Sequence, residues 1–513
     1  MKIKSLYLII LFLLIGVIYR LIITQNGNFI FNMDNARDMV DIREMVELNK
    51  PRLIGNTAAI EGVFYGPYWY YLSAIPFMLS GGNPYANIIL QIILWSIGGY
   101  FALKLVSRYG FIAIITVGFL WVFSNILVLS STYAFNPNPV LFLTPLWLFL
   151  FVKYLETKKN IFSVSLFALA ATFFSNEILF AILLPLIIIS AIFLTGNKKL
   201  LMTRSFLCGV TTFLVVLSPQ LFFELRHDFF MTHSLINFLR NGGNESAGFN
   251  IFVRLLYMKD KFNEILLPTF LNINLISFGL IGLLGTVIVY SKIKKNLLKD
   301  NLLIILLCYI LIPMICFTLI PVNISSWHWV GVVSAMIVFS GILLSQSFKI
   351  WVPFKVVSLI LFLAIISYSL IGVNLYLERL KRPSNDPSMF INELNAVDFV
   401  YKQAAGKNFK VYTYLPSVID YPYQYLFWWR GLNKYGYLPD DYAYAPNKPP
   451  YITQKEKLDT GTRQVSSGLV FLIQEPDRGL RHLWENTFKN YQLLDSRMVG
   501  PLLVETRKDI TQK

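Results

Sequence analysis

Long apolar runs separated by short polar turns fill most of this chain. Runs close to the roughly 17–25 residues that a helix needs to cross a hydrocarbon core lie at about 6–24, 85–103, 111–130, 138–154, 161–176, 178–195, 205–223, 270–290, 301–320, 328–346 and 352–374. They predict about eleven transmembrane helices. One further stretch, Tyr68–Leu79, is short, aromatic and interrupted by Pro76, which predicts a helix lying in the membrane interface. The first run lacks a small-residue cleavage site and reads as a retained anchor.

The polar positions give the runs an orientation. Basic residues cluster in alternate turns: Lys104 and Arg108; Lys153 with Lys158 and Lys159; Lys198, Lys199 and Arg204; Lys292 to Lys299; Lys349 and Lys355. The connections around Asn136, Glu177 and Asn323 carry no Lys or Arg. With the N-terminus inside, this is the positive-inside pattern, and it closes only if Tyr68–Leu79 does not cross. Three large pieces are then expected on the outer face. They are a first loop at about 25–84, a second at about 224–269, and a tail at 376–513. The expected organisation is a membrane module over 1–375 and an extracytoplasmic domain over 376–513. Strand-like runs at Lys410–Leu415, Leu469–Gln474 and Val499–Glu505 make that domain α/β. The fold class is thus an α-helical polytopic membrane protein with a C-terminal extracytoplasmic α/β domain.

Composition adds what the pattern leaves open. Over 513 residues, 55% are hydrophobic and only 14% charged, and mean hydropathy is +0.56, values of a membrane protein. The formal charge of +16 would suit nucleic acid, but its placement in turns assigns it to topology. No nucleic-acid partner is expected. Cys208, Cys308 and Cys316 all lie in apolar runs, and the four histidines have no ligand spacing, so no disulfide framework or histidine metal site is indicated.

The chemistry concentrates just beyond the first run. In Phe31-Asn32-Met33-Asp34-Asn35-Ala36-Arg37-Asp38, continuing to Asp41 and Glu44, the acids recur at helical spacing. This predicts an amphipathic surface helix whose Asp38, Asp41 and Glu44 form a solvated edge balanced by Arg37 and Arg43. Asp34, at the helix start, is either its N-cap or a poised carboxylate. Downstream stand the aromatic segment Tyr65-Gly66-Pro67-Tyr68-Trp69-Tyr70-Tyr71, then Phe135-Asn136-Pro137-Asn138-Pro139, and Ser218-Pro219-Gln220-Leu221-Phe222-Phe223-Glu224-Leu225-Arg226-His227-Asp228.

In order and common face, these segments over about residues 1–375 resemble the GT-C glycosyltransferases. The branch containing the protein O-mannosyltransferases and the lipid A aminoarabinose transferase is the most similar. That branch opens its first loop with an Asp-Glu pair, where this chain has Asp34-Asn35. The resemblance implies a membrane enzyme that takes a sugar from a polyprenyl-phosphate donor and passes it to a glycan, lipid or protein acceptor at the outer face of the cell membrane. It implies Asp34 as general base, with Asp38 the other candidate. No cofactor is assigned, and a divalent cation is left open.

A lipid-phosphate leaving group calls for cations where water is excluded. Arg226 and His227, after the seventh run, and Arg20, near the outer end of the first, are the candidates. Asn35, Tyr65, Tyr68, Trp69, Asn136, Asn138, Glu177, Trp327 and His328 are candidate sugar or acceptor contacts. Each also has a structural reading as turn former, interfacial anchor or boundary charge. Within the tail, Asp420–Tyr425 and Phe427–Arg430 read as core, docking face or acceptor platform. The alternatives to an enzyme are a transporter or flippase of lipid-linked saccharides, and a membrane scaffold or sensor.

Overall fold

The computed structural model describes residues 3–240, 251–270, 300–320, 323–350, 352–381, 384–417, 419–446, 451–452, 454–459, 464–476, 479 and 481–509. The chain forms two compact units. The first takes Met1–Arg20, Arg52–Trp69 and Leu90–Leu375. The second takes Leu21–Pro51, Tyr70–Ile89 and Tyr376–Lys513. One of the divisions falls between Leu375 and Tyr376. The acidic segment of the first loop, however, belongs to the same unit as the tail.

The first unit is a helical bundle. Its chain runs through α1 (Ile3–Thr24), α4 (Tyr85–Val106), α5 (Phe111–Phe123), α6 (Asn125–Ser131), α7 (Asn138–Thr157), α8 (Asn160–Thr172), α9 (Ile178–Ala181), α10 (Leu184–Leu194) and α11 (Arg204–Arg226). It continues with α12 (Phe230–Arg240), α13 (Ile251–Phe270), α14 (Asn301–Leu319), α15 (Val330–Ser347) and α16 (Val352–Leu380). Between α1 and α4 come α2 (Met33–Glu47) and α3 (Tyr68–Ser80). Among the described residues, seven helices are long and apolar enough to cross a membrane, or eight if the bent pair α5–α6 is one span. The chain is a multi-pass membrane protein. The expected runs 161–176 and 178–195 form shorter apolar helices, and the run at 270–290, like Lys292–Lys299, falls outside the described residues apart from its first position. Helix α3 has 13 residues with Pro76 inside, about 20 Å of rise, too little for a crossing.

Packing in this unit depends on close helix approach. Helix α15 is the most enclosed of the long helices, and its Gly331, Ser334, Ala335, Ser340 and Gly341 are small enough to let α5 and α7 lie against it. A Cβ on Gly341 would sit 2.4 Å from Val117, so side-chain bulk there would drive the helices apart. Trp95 and Trp121 exchange indole-to-carbonyl hydrogen bonds of 3.0 and 3.1 Å across α4 and α5.

The 50° break between α5 and α6 leaves carbonyls without helical partners in an apolar surround, a costly arrangement unless donors are supplied. Arg20 supplies them. Fully buried, it donates to Val122 O at 3.1 Å, Leu127 O at 3.3 Å and Ser131 Oγ at 2.6 Å. Its guanidinium also lies 3.7 Å from the Trp95 ring centroid. The expectation that Arg20 binds donor phosphate is therefore corrected: its donors are committed to the broken helix and, at 3.2 Å, to Gly16 O of its own helix.

The second unit contains α2, most of α3, and the tail with α17 (Phe390–Ala404), α18 (Tyr421–Arg430) and one sheet. The strands are β1 (Asn408–Tyr414), β2 (Asp441–Ala443), β3 (Ser466–Gln474), β4 (Tyr491–Val499) and β5 (Leu502–Asp509), in the order β2-β1-β3-β5-β4. β1 is parallel to β2 and β3, while β3–β5 and β4–β5 are antiparallel. The expected strand Val499–Glu505 is instead the end of one strand and the start of the next. Gly500, at φ +61°, with Pro501 turns the chain there, since a left-handed glycine is cheap and proline cannot feed a central ladder.

Tail and first loop share a core. Phe29 stacks on Phe390 at 4.7 Å, and Phe31 N–H donates to Ser388 O at 2.8 Å. The Trp429 indole donates to Gly81 O at 3.0 Å, and the Tyr425 hydroxyl donates to Gly82 O. The aromatic run of the tail is thus a core that covers the first loop.

Two carboxylates of this unit titrate in opposite senses. Burial pushes the Asp398 carboxyl up, but hydrogen bonds from Arg430 and Lys434 outweigh it and hold it at about 2. Burial pushes Asp420 up to about 6. A raised carboxyl binds its proton more tightly when folded, so its stabilising share is complete below the unfolded value near 4 and is lost as pH rises through 6.

Two outcomes are expected. Arg20→Leu lowers stability by roughly 2–5 kcal/mol, because buried carbonyls lose their donors; a thermal melt of the purified protein in detergent checks it. Asp420→Asn removes a loss of melting temperature that the wild type shows between pH 4 and 6, read from the same melts across pH.

Candidate functional site

The candidate residues divide between the two units. In the second, Asn32 caps α2: its side chain accepts from the Asp34 N–H at 3.2 Å. Asp34 is therefore not the cap. It occupies the first turn with its carboxylate free to point outward, 36% exposed, and accepts from Arg37 at 3.3 Å. The helix N-terminus favours a negative charge here.

Arg37 also donates to Asp38 at 3.2 Å, and so bridges the two acids. Burial opposes its charge, but Asp38, Tyr70 and Asp34 outweigh burial and raise its pKa. Asp38 is only 3% exposed. Asp41 accepts from the Tyr70 hydroxyl at 2.6 Å. Burial, with Asp41 and Asp38 nearby, pushes that phenol well above its ordinary pKa.

The expectation of a solvated acidic edge on α2 is overturned. Asp38, Arg43 and Glu44 are buried, because α18 packs on this helix and sets Trp428 4.9 Å from the Arg43 guanidinium. Asn35 is buried too, its side-chain amide donating to Ile30 O at 2.8 Å, while its Oδ1 has no hydrogen-bond partner among the described residues.

In the first unit, the connections that carry no basic residue are tied to one another. His328 Nδ1 and Glu177 Oε1 are 2.9 Å apart with both side chains fully enclosed. The same Glu177 oxygen accepts from Leu179 N–H at 3.2 Å, capping α9. The Asn136 amide donates to Asn176 O at 3.0 Å. Asn138 donates to Ser130 O and Tyr133 O at 2.9 and 2.8 Å, closing the loop at the end of α6. Among the described residues, Glu177 Oε2 and His328 Nε2 remain buried without hydrogen-bond partners. Trp327 is 37% exposed and meets Phe135 edge-on at 6.3 Å.

The aromatic segment after residue 64 is partly structural. Tyr65 is buried in a cluster with Ile60, Val63, Ile178 and Met231, and Trp69 is buried as well. The Tyr68 hydroxyl donates to Val216 O at 2.7 Å, and its N–H to Ser175 Oγ at 3.2 Å. Gly66 is required by close approach, since a Cβ there would lie 2.3 Å from Ser175 Oγ and 2.9 Å from Gln220 Oε1.

At the end of α11, Arg226 and His227 are exposed. His227 stacks on Phe223 at 4.2 Å and bonds its carbonyl at 2.8 Å through Nδ1. Glu224 between them is buried and accepts from Met231 N–H, Thr232 N–H and the Thr232 hydroxyl, so it holds the first turn of α12.

Among the described residues, no group of three or more His, Cys, Asp and Glu side chains could hold a metal ion. Arg37 as the bridge between Asp34 and Asp38, Tyr70 on Asp41, and Asn176 under Asn136 were not anticipated. The one-residue and three-residue spacings from Arg37 to the two acids were a usable signal. The others had none.

No family model matches the chain, and no curated protein matches it. Solved structures do. The crystal structure of ArnT from Cupriavidus metallidurans bound to undecaprenyl phosphate aligns with a TM-score of 0.60 at 12% identity, covering 97% of both chains. The apo structure of the same protein gives 0.59 at 11% identity over the same share. The chain therefore shares the fold of the ArnT structure. The likeness spans the membrane module and the tail alike, and at so low an identity it speaks for architecture, with side-chain roles left to the geometry above.

Breaking the buried pair should separate structure from surface chemistry. Glu177→Gln and His328→Phe are each expected to destabilise by about 2–4 kcal/mol, since either leaves a buried polar partner behind. The double variant should lose less than the sum, with the coupling read from a double-mutant cycle of melts.

Proposed function

We propose that this protein is an integral membrane glycosyltransferase. It moves a sugar from a polyprenyl-phosphate donor to an acceptor hydroxyl or amine at the outer face of the cell membrane. The shared fold over 97% of the chain supports this reading, as does undecaprenyl phosphate bound to the ArnT structure.

The observation that carries the assignment of the base is the contrast between the two acids on Arg37. Asp34 is 36% exposed and Asp38 only 3%, so Asp34 is the one an acceptor can reach. In the proposed step the acceptor O–H gives its proton to the Asp34 carboxylate as its oxygen bonds to the sugar C1. The C1–O bond to phosphate breaks on the opposite side, and polyprenyl phosphate leaves. Arg37 holds the Asp34 carboxylate in position through a 3.3 Å contact. Arg226 and His227, exposed at the end of α11, are assigned to the donor phosphate, where a guanidinium offers paired hydrogen bonds. Asn136, Asn138 and Trp327 are assigned to sugar or acceptor contacts. Glu177 and His328, enclosed and paired, shape those connections.

In membranes supplied with the lipid-linked donor, Asp34→Asn should abolish transfer while expression stays at the wild-type level, measured by loss of sugar from the lipid fraction. Asp38→Asn should act through stability as well. Full transfer by the Asp34 variant would remove it as the base. Polyprenyl-phosphate sugars should accumulate when the protein is deleted from its host, and mass spectrometry of the lipid extract would name the sugar.

A further inference from the structure

A second candidate site lies in the first unit, on side chains that the proposed chemistry does not use. A cavity of about 930 Å³ opens among α1, α4, α7 and the turn into α5. Four cations line it, Lys4, Lys104, Arg108 and Lys153, against one carboxylate, Glu156. The rest of its wall is largely apolar, with Leu8, Leu105, Phe111, Ile114, Phe149 and Val152.

The cations are unequally satisfied. Lys153 pairs with Glu156 at 2.7 Å, and Arg108 with Asp300 at 2.6 Å. Among the described residues, neither Lys4 nor Lys104 has a carboxylate partner. The Lys104 ammonium instead lies over aromatic rings, 4.6 Å from the Phe149 centroid and 5.2 Å from that of Tyr100. A turn that served only to orient the chain would spread its lysines into water. Here two unpaired ammonium groups from different helices share a recess with an apolar floor.

We propose that this cavity binds the phosphate headgroup of an anionic phospholipid, with the acyl chains against its apolar wall. Basic recesses between membrane helices hold such headgroups because the ammonium groups neutralise the phosphate while the chains stay in hydrocarbon. The size suits a small-molecule site. The proposal is independent of the glycosyltransferase reading.

The test uses the purified full chain and native mass spectrometry of retained lipid after exchange into phosphatidylglycerol or phosphatidylcholine. The wild type should retain phosphatidylglycerol and not phosphatidylcholine. Each basic group near an anionic headgroup is worth about a factor of five, so Lys4→Gln with Lys104→Gln should weaken retention roughly twenty-five-fold. Lys198→Gln with Lys199→Gln, a basic turn outside the cavity, should change it little. Lys104→Arg should keep it. If the double variant fails to fold, Lys4→Gln alone, at an exposed position, should still show about a fivefold loss. Equal retention by the Lys4 variants, equal loss in the Lys198 and Lys199 variant, or soluble glycerol phosphate binding as tightly as the lipid would each overturn the proposal.

Discussion

Polar groups within hydrocarbon must find partners inside the protein, and the membrane unit is organised around the few places where its helices cannot provide them. The α5–α6 break is the clearest. A 50° bend strips the helix of its ladder just where α1, α4 and α6 meet, and one arginine from α1 spans the gap to both sides of it. The cation is tolerated because the indole face of Trp95 lies 3.7 Å away and its N–H groups are taken up by carbonyls and a hydroxyl. A broken helix, a buried arginine and an indole are therefore a single solution. None of the three would persist without the others.

The same accounting explains the connections at Asn136, Glu177 and His328. Each ends or begins a helix, so each brings orphan N–H or C=O groups. Glu177 caps α9 and holds His328 with one oxygen, and Asn136 takes the Asn176 carbonyl. Three loops distant in sequence are fixed by side chains that had reason to be polar. Residues fixed in this way have little freedom to move toward a ligand. They form a rigid set of connections, beside which Trp327 stays partly exposed.

Legibility in the sequence followed the range of the interaction. Most of the long apolar helices, the short helix at Tyr68–Leu79 and the resemblance in fold were readable because apolar length and local motif order are one-dimensional properties. Arg20 looked like a phosphate ligand because its position near a span end was visible and its partners, about a hundred residues on, were not. The strand Val499–Glu505 was drawn through Gly500-Pro501 by hydrophobicity alone, although the turn chemistry stood in the sequence. For α2, helical spacing of the acids was correctly seen, but a periodic charge pattern gives no account of what covers it. The cover is α18, almost four hundred residues later, and with it Asp38 and Glu44 pass from surface to interior.

That burial is what distinguishes two acids that share one arginine. A carboxylate enclosed beside its counter-ion is held in place by the packing around it. Asp38 is in that position. Asp34 shares the same guanidinium but stands in the first turn, at the positive end of the helix dipole, and part of its surface is exposed. Arg37 is thus paired with one exposed and one enclosed acid; the enclosed one is fixed with the helix, and the exposed one stays accessible.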